Sequence, residues 1–303
     1  MTAEHLGVSV VIPTVGRPEL ARAIASIEAQ DYPGPVELIV VGDLPPGSLD
    51  DELVKGADQV LYTGGGRRAG AARNLGIAAA RQELVAFLDD DDEWLPGKLS
   101  AQIPMFGDAE VAVVGTQIVY RNAGTDGTSS PVPSEVKKAD QSVVEYLFVR
   151  RSPKVGRAVI CTPTLVVRSE VARRVVWNET LRRHQDWDWV DRLEREGGAR
   201  ILQIADASSV IWTGSDGSIS SSPDWESSLA WGMTRAGVWP PRVLADFIAG
   251  QPLRYACQAR SARGVARTLR ALLANGRFPS VQALALGASG VVPRSLINKL
   301  LSR

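Results

Sequence analysis

Leu84-Val-Ala-Phe-Leu-Asp-Asp-Asp-Asp-Glu-Trp94 carries an apolar run of five residues directly into four consecutive aspartates. A short continuous apolar run has the length of a buried strand, and a strand ending in carboxylates delivers them to the edge of a sheet. Upstream, Gly7-Val-Ser-Val-Val-Ile-Pro13 and Val36-Glu-Leu-Ile-Val-Val41 read as two more strands, with a short one at Gln59-Val-Leu-Tyr62. Between them, Pro18 to Ala29 has helical spacing with proline in its first turn, and Ala69 to Ala80 is a helix of small residues. Strands alternating with helices predict an α/β fold with a mainly parallel, Rossmann-like central sheet covered on both faces. Ligands of such sheets lie beyond the carboxyl ends of the strands, where Thr14, Asp43 and the run Asp89 to Glu93 fall together.

The second half is less regular. Strands are expected at Val111 to Tyr120, Thr164 to Arg168 and Ala199 to Ile204, and helices at Ser142 to Val149 and Gln185 to Glu196, with a polar loop at Gly124 to Pro133 of a kind that can be mobile. Beyond Pro223 the chain reads as successive helices broken at Pro240-Pro241, Gly250, Gly276 and Pro293. The 303 residues, 45% of them apolar and 22% charged, with no net charge, exclude a disordered or collagen-like chain. Cys161 and Cys257 stand far apart, which excludes a disulfide framework or a structural zinc site. No run is long and apolar enough for a signal peptide or a spanning helix, so a cytoplasmic protein is expected.

Four adjacent carboxylates repel one another and gain nothing from packing, so a bound hard cation, Mg²⁺ or Mn²⁺, is the simplest compensation; an acidic turn leading into the helix near Pro96 is the bland reading. Asp43 at a strand end is a turn former or an acceptor for the imide proton of a uracil-type base. Arg73 on a helix of small residues could reach a phosphate or a base edge, or pair with the acidic run. Gly64-Gly-Gly-Arg-Arg68 is a phosphate cradle or simply a flexible loop. No Gly-x-Gly-x-x-Gly follows the first strand, which argues against a nicotinamide dehydrogenase. In His184-Gln-Asp-Trp-Asp-Trp189 the tryptophans could stack on sugar rings beside carboxylates, but at i and i+2 they point to different sides of a helix, so at least one belongs to the core. Asp188 and Arg192 have the spacing of a plain helix ion pair.

In combination these segments resemble inverting family 2 glycosyltransferases of the GT-A fold over residues 7 to about 212. Val10-Val-Ile-Pro-Thr-Val-Gly-Arg17 is similar to the family's first strand and nucleotide loop, and Val36 to Asp43 to its second strand, with Gly42 where an acidic residue is usual. Ala69 to Gly76 is similar to the helix before the metal motif, Leu88-Asp89-x-Asp91-Asp92-x-Trp94 to that motif, and His184 to Trp189 with Arg192 to the acceptor segment. The resemblance implies donor contacts from Pro13, Thr14, Gly16, Arg17, Asp43, Arg73, Asp89 and Asp90, the last nearest the ribose. It implies metal held by Asp91 with Asp89, although an alignment one residue along stays open because every position of the run is acidic. It implies Asp186 as the base, and acceptor contacts from His184, Trp187 and Trp189. The histidine that often completes the metal sphere has no counterpart; Ile211-Trp-Thr213 occupies that region.

The expectation is therefore a GT-A domain over 1–220, with a nucleotide-sugar half to about 110 and an acceptor half beyond, then a helical C-terminal appendage over 221–303. It would move sugar from a nucleoside-diphosphate donor, UDP-linked, to a glycan, lipid-linked or small-molecule acceptor by single displacement, with no nucleic-acid partner. A sugar nucleotidylyltransferase and a silent nucleotide-sugar-binding protein are the alternatives. Everything after Gly250 contains eight arginines and one lysine and no acidic residue, so the first 250 residues carry nine net negative charges. Arg254, Arg260, Arg263, Arg267 and Arg270 recur through this tail, the last four stepping by 3, 4 and 3 onto one helical face. Such a stripe folds back on acidic surface or contacts an anionic membrane peripherally.

Overall fold

Strands β1 (Val8–Thr14), β2 (Val36–Gly42), β3 (Gln59–Tyr62) and β4 (Leu84–Phe87) run parallel in the spatial order β3-β2-β1-β4. β1 and β4 are buried along their whole length and β2 over all but its first residue, as strands covered on both faces must be. The computed structural model describes residues 5–122, 127–152, 156–213 and 222–292. Two compact units divide the chain, Met1–Val143 with Val159–Asp216 and Val144–Ala158 with Gly217–Arg303.

In the first unit the sheet continues through β7 (Val166–Arg168), β6 (Val111–Asn122), β8 (Arg200–Thr213) and the two-residue β5 (Glu93–Trp94). β4–β7, β7–β6 and β8–β5 are antiparallel and β6–β8 parallel, so the half beyond β4 is mixed where the half before it is purely parallel. Helices α1 (Leu20–Glu28) and α2 (Arg68–Ala79) follow β1 and β3. α2 approaches the sheet so closely that a Cβ at Gly76 would lie 2.4 Å from the Val11 side chain, which explains the small-residue composition of this helix. After the short helices α3 (Lys98–Gln102) and α5 (Ser169–Arg174), α6 (Gln185–Arg195) carries the second chemical segment; the intervening α4 (Val143–Phe148) belongs, but for its first residue, to the second unit. Residues 124–126 of the polar loop lie outside the described residues; its remainder runs back along β6, with bridges from Val132 to Ile118 and Thr128 to Arg121.

The second unit has its own core. Phe148 stacks on Trp239 at 5.1 Å and meets Phe247 and Trp231 edge-on. Its helices are α7 (Trp225–Met233), α8 (Pro241–Ile248), α9 (Arg254–Gln258), α10 (Ala262–Ala274) and α11 (Val281–Ala288). The break expected at Gly250 does not occur. A π-helical turn over Ala249–Leu253 joins α8 to α9 and takes up Pro252, whose missing N–H would interrupt an α-helical ladder. Arg260 lies in the turn between α9 and α10 at a φ of 50°, so only Arg263, Arg267 and Arg270 of the expected stripe share one helix. The break read at Pro293 lies outside the described residues.

Candidate active site

The carboxyl ends of β1, β2 and β4 gather the first set of side chains. β1 ends in Thr14, whose hydroxyl donates to an Asp90 carboxylate oxygen at 2.7 Å and accepts from the Gly16 N–H at 2.9 Å. The Val15 N–H donates to the same Asp90 oxygen at 3.4 Å. Asp90 is buried and turned inward, a tie between the β4 end and the loop after β1. Pro13 is buried within β1, so only Val15, Gly16 and Arg17 of this segment reach the surface. The Arg17 guanidinium lies 2.9 Å from Asp91 and 3.8 Å from Asp90.

Within the acidic run, burial raises the carboxyls of Asp90, Asp91 and, furthest, Asp92 above the usual range. At Asp91 and Asp92 the charge of Asp89 adds to that shift, and at Asp90 the charges of Asp91 and Asp89 do. Asp92 is buried and accepts from the Trp212 N–H at 3.1 Å. Asp89 and Asp91 have the more open side chains, with 32% and 27% of their surface exposed against 10% for Asp90. Hard oxygen donors that repel one another and keep a path to solvent fit Mg²⁺ or Mn²⁺ through Asp89 and Asp91. No group of three or more acidic, histidine or cysteine side chains converges as a ready-made metal cage among the described residues.

β2 ends at Gly42, and the next residue, Asp43, donates its N–H to the Thr14 carbonyl at 2.8 Å. Its carboxylate accepts from the Thr63 hydroxyl and from the Arg67 and Arg68 N–H groups at 2.8 and 2.7 Å. Burial raises this carboxyl, but these hydrogen bonds outweigh it and hold Asp43 below the ordinary range. Asp43 thus anchors the start of α2. Gly64, Gly65 and Gly66 all adopt positive φ, of 92°, 98° and 73°. The loop closes onto Asp43, and the side chains of Arg67 and Arg68 reach Glu179 and the Thr180 carbonyl.

Arg73 is buried on α2 and joins the two chemical segments. Its guanidinium donates to Asp89 at 2.6 Å and to the Gln185 side chain at 3.1 Å, and lies 4.7 Å over the Trp177 ring. One residue on, Asn74 bonds the Trp177 backbone on both sides and Glu179. Gln185 opens α6, and Asp186 follows. Burial pushes the Asp186 carboxyl up to about 6, against the opposing effects of the Trp187 N–H and Arg73. His184, at a φ of 62° just before the helix, stacks flat on Trp187 with centroids 4.6 Å apart, and burial holds its imidazole well below the ordinary range.

Trp189 is a correction. It is fully buried, stacked on Trp177 at 4.2 Å, edge-on to Phe87, with its indole N–H on the Val175 carbonyl, and no acceptor can reach it. Asp188 and Arg192 form the plain helix pair, at 2.8 Å.

Several residues of the site had no signal in the sequence. Arg22 on α1 donates to the Asp91 carbonyl, pairs with Glu93 at 2.9 Å and covers the Trp212 ring at 4.4 Å. The Trp212 indole donates to Glu93 at 2.7 Å, so the position where a metal-binding histidine was sought holds a tryptophan locked to the acidic run. Burial, and then the charges of Asp186, Asp92 and Asp89, push the Cys161 thiol well above its ordinary range.

Comparison with known proteins agrees with this geometry. The family model "Glycosyl transferase family 2" matches residues 9–175. Over 205 residues the chain is 29% identical to the amylovoran biosynthesis glycosyltransferase AmsB of Erwinia amylovora, covering 64% of this chain and 66% of that protein. Across three curated relatives the matched segment spans 48% to 66% of the relative's length. Among solved structures, S. aureus TarS 1–349 in complex with UDP-GlcNAc superposes with a TM-score of 0.64 at 17% identity, over 89% of this chain and 81% of that one. The mannosyltransferase PcManGT of Pyrobaculum calidifontis, in complex with GDP-Man and Mn²⁺, gives a TM-score of 0.52 at 19% identity, over 95% and 80%.

Proposed function

The chain belongs to glycosyl transferase family 2 and has the GT-A fold, and on that premise we propose that it moves a sugar from a UDP-linked donor to an acceptor hydroxyl with inversion at the anomeric carbon. The observation that carries this reading is the Arg73 bridge: one buried guanidinium holds Asp89 of the acidic run and Gln185 next to Asp186. The diphosphate side and the base side of a displacement are thereby tied together.

In this reading Asp89 and Asp91 would hold Mg²⁺ or Mn²⁺, which would supply positive charge against the departing diphosphate. The acceptor oxygen attacks the anomeric carbon, its proton passes to Asp186, and the bond to the β-phosphate oxygen breaks on the opposite face. A carboxyl near 6 is ionised at neutral pH yet more basic than an ordinary aspartate, as a general base requires. The Trp187 ring, backed by His184, offers the acceptor sugar a flat surface. In this reading Asp43, Arg17 and the loop after β1 contact the nucleotide. The UDP preference draws on the TarS complex, and the metal on the PcManGT complex together with the carboxylates of this chain. The nucleotidylyltransferase alternative gives way to the family match.

The test is release of UDP from a panel of UDP-sugars with Mn²⁺ and with a chelator, followed by NMR of the glycosidic product. Chelator-sensitive turnover giving an anomer opposite to the donor's is expected. A retained anomer would remove Asp186 from its role, and turnover indifferent to chelation would remove the metal.

A further inference from the structure

We propose that the outer face of α10 and α11 is a docking surface for a lipid bilayer containing anionic headgroups. On α10 the residues turned inward are Gly264, Thr268 and Leu272. The opposite side presents two adjacent stripes: Leu269 and Leu273, and beside them Arg263, Arg267 and Arg270. The apolar stripe continues across the turn. Leu273, Phe278 and Val281 expose 71%, 79% and 77% of their surface, and Leu284 follows on the outer side of α11. From Phe278 to Val292 there is no charged residue at all, and exposed Arg277 stands at its border.

A soluble surface does not ordinarily leave a leucine, a phenylalanine and a valine so open within one short stretch of chain, residues 273–281. Apolar side chains beside arginines are the composition of a segment lying in the plane of a membrane, with the hydrocarbon parts below the headgroups and the guanidiniums on phosphates. Charge selects the occupant. Arg267 has Glu226 at 3.8 Å and Trp225 beneath it, but no carboxylate lies within ion-pair distance of Arg263, Arg270 or Arg277 among the described residues. No acidic residue occurs after Asp246. A second copy meeting this face about a two-fold axis would set arginine against arginine, whereas anionic lipid neutralises all of them. Among the described residues no helix is long and apolar enough to cross the membrane, so the contact is peripheral.

The experiment is flotation of the full chain with vesicles of phosphatidylcholine alone or mixed with phosphatidylglycerol, at low and high salt. The chain should float only with the anionic mixture and return to the soluble fraction as salt rises. Arg263→Glu with Arg270→Glu should weaken partitioning by about tenfold or more, since each basic residue contributes about fivefold. Phe278→Ser with Val281→Ser should weaken it comparably even at low salt, with an unchanged near-ultraviolet circular dichroism spectrum because both side chains are exposed. A chain that stays soluble with anionic vesicles at low salt overturns the proposal, as does binding indifferent to both double variants. A dimer in light scattering that Phe278→Ser dissolves would instead assign the face to a second copy.

Discussion

The Arg73 guanidinium stands 2.6 Å from Asp89 and 3.1 Å from the Gln185 side-chain oxygen, so one buried cation fixes the end of β4 against the start of α6. Lysine would keep the charge but cannot span both partners from a planar fork. Arg73→Lys should therefore lower transfer by about 10²-fold or more, the cost of misplaced reacting groups, while UDP-sugar affinity measured calorimetrically falls much less. Equal losses in both would make Arg73 a donor ligand alone.

Asp91→Asn removes the charge of one of the two most open carboxylates of the acidic run and turns the 2.9 Å ion pair with Arg17 into, at most, a neutral-acceptor hydrogen bond. Turnover at saturating donor should fall by about 10²-fold or more, and a Mn²⁺ titration should show the half-saturating concentration rising. Asp89→Asn should act in the same direction while also releasing Arg73. Wild-type metal dependence in Asp91→Asn would move the metal to a different pair in the run.

For Asp186→Asn the expectation is donor affinity unchanged within about twofold and transfer reduced by about 10²–10⁴, the usual worth of a general base. In the unsubstituted protein the rate should fall about tenfold for each pH unit below 6, where Asp186 takes up its proton. The same shift bears on stability. Burial holds His184 below the ordinary imidazole range, which costs metal-free protein stability over this window, but the folded state binds the Asp186 proton more tightly than the unfolded chain does, so the Asp186 contribution grows as pH falls from 7 toward 5. The raised carboxyls of Asp90, Asp91 and Asp92 act in the same sense. Glu37, Asp43 and Glu179 are held low by hydrogen bonds, so their contribution is present above the ordinary carboxylate range and is lost only at more acid pH. Denaturant midpoints at pH 5 and pH 7.5, with Asp186→Asn insensitive to at least part of the difference, check this.

The two tryptophans of α6 should separate cleanly. Trp189→Ala opens a cavity beneath Phe87 and Trp177 and should cost about 3–5 kcal/mol in chemical denaturation. Trp187→Ala should leave the denaturation midpoint nearly in place and raise the acceptor KM. If Trp187→Ala changes neither, the acceptor lies elsewhere.

The parallel half of the sheet was legible almost to the residue because β1, β2 and β4 are buried on both faces and announce themselves as apolar runs. β8 was expected to stop at Ile204 and continues to Thr213. Its later part includes Asp206, Ser208 and Ser209, polar residues that no pattern reads as strand. Ser208 and Ser209 are buried because their partners, Leu95 and Pro163, come from distant segments. The same pairing creates β5 inside the acidic run, so the fixing of Asp92 and Glu93 by Trp212 is a tertiary fact. α5 was missed because its six residues are too few to show a period. At the site, the individual aspartates were readable and their partners were not: nothing in the spacing of Arg17, Arg22 or Gln185 says which carboxylate or cation each will meet.

The loop Gly64–Gly66 places three successive residues in a backbone region that is the mirror image of the one natural side chains prefer. A Cβ at Gly64 or Gly66 would meet nothing within 4 Å, so the obstacle there is handedness and not room. D-alanine introduced at either position by peptide ligation should fit, and by narrowing the unfolded ensemble should stabilise the start of α2. L-alanine, an identical set of atoms, should destabilise it by about 1–2 kcal/mol at each position.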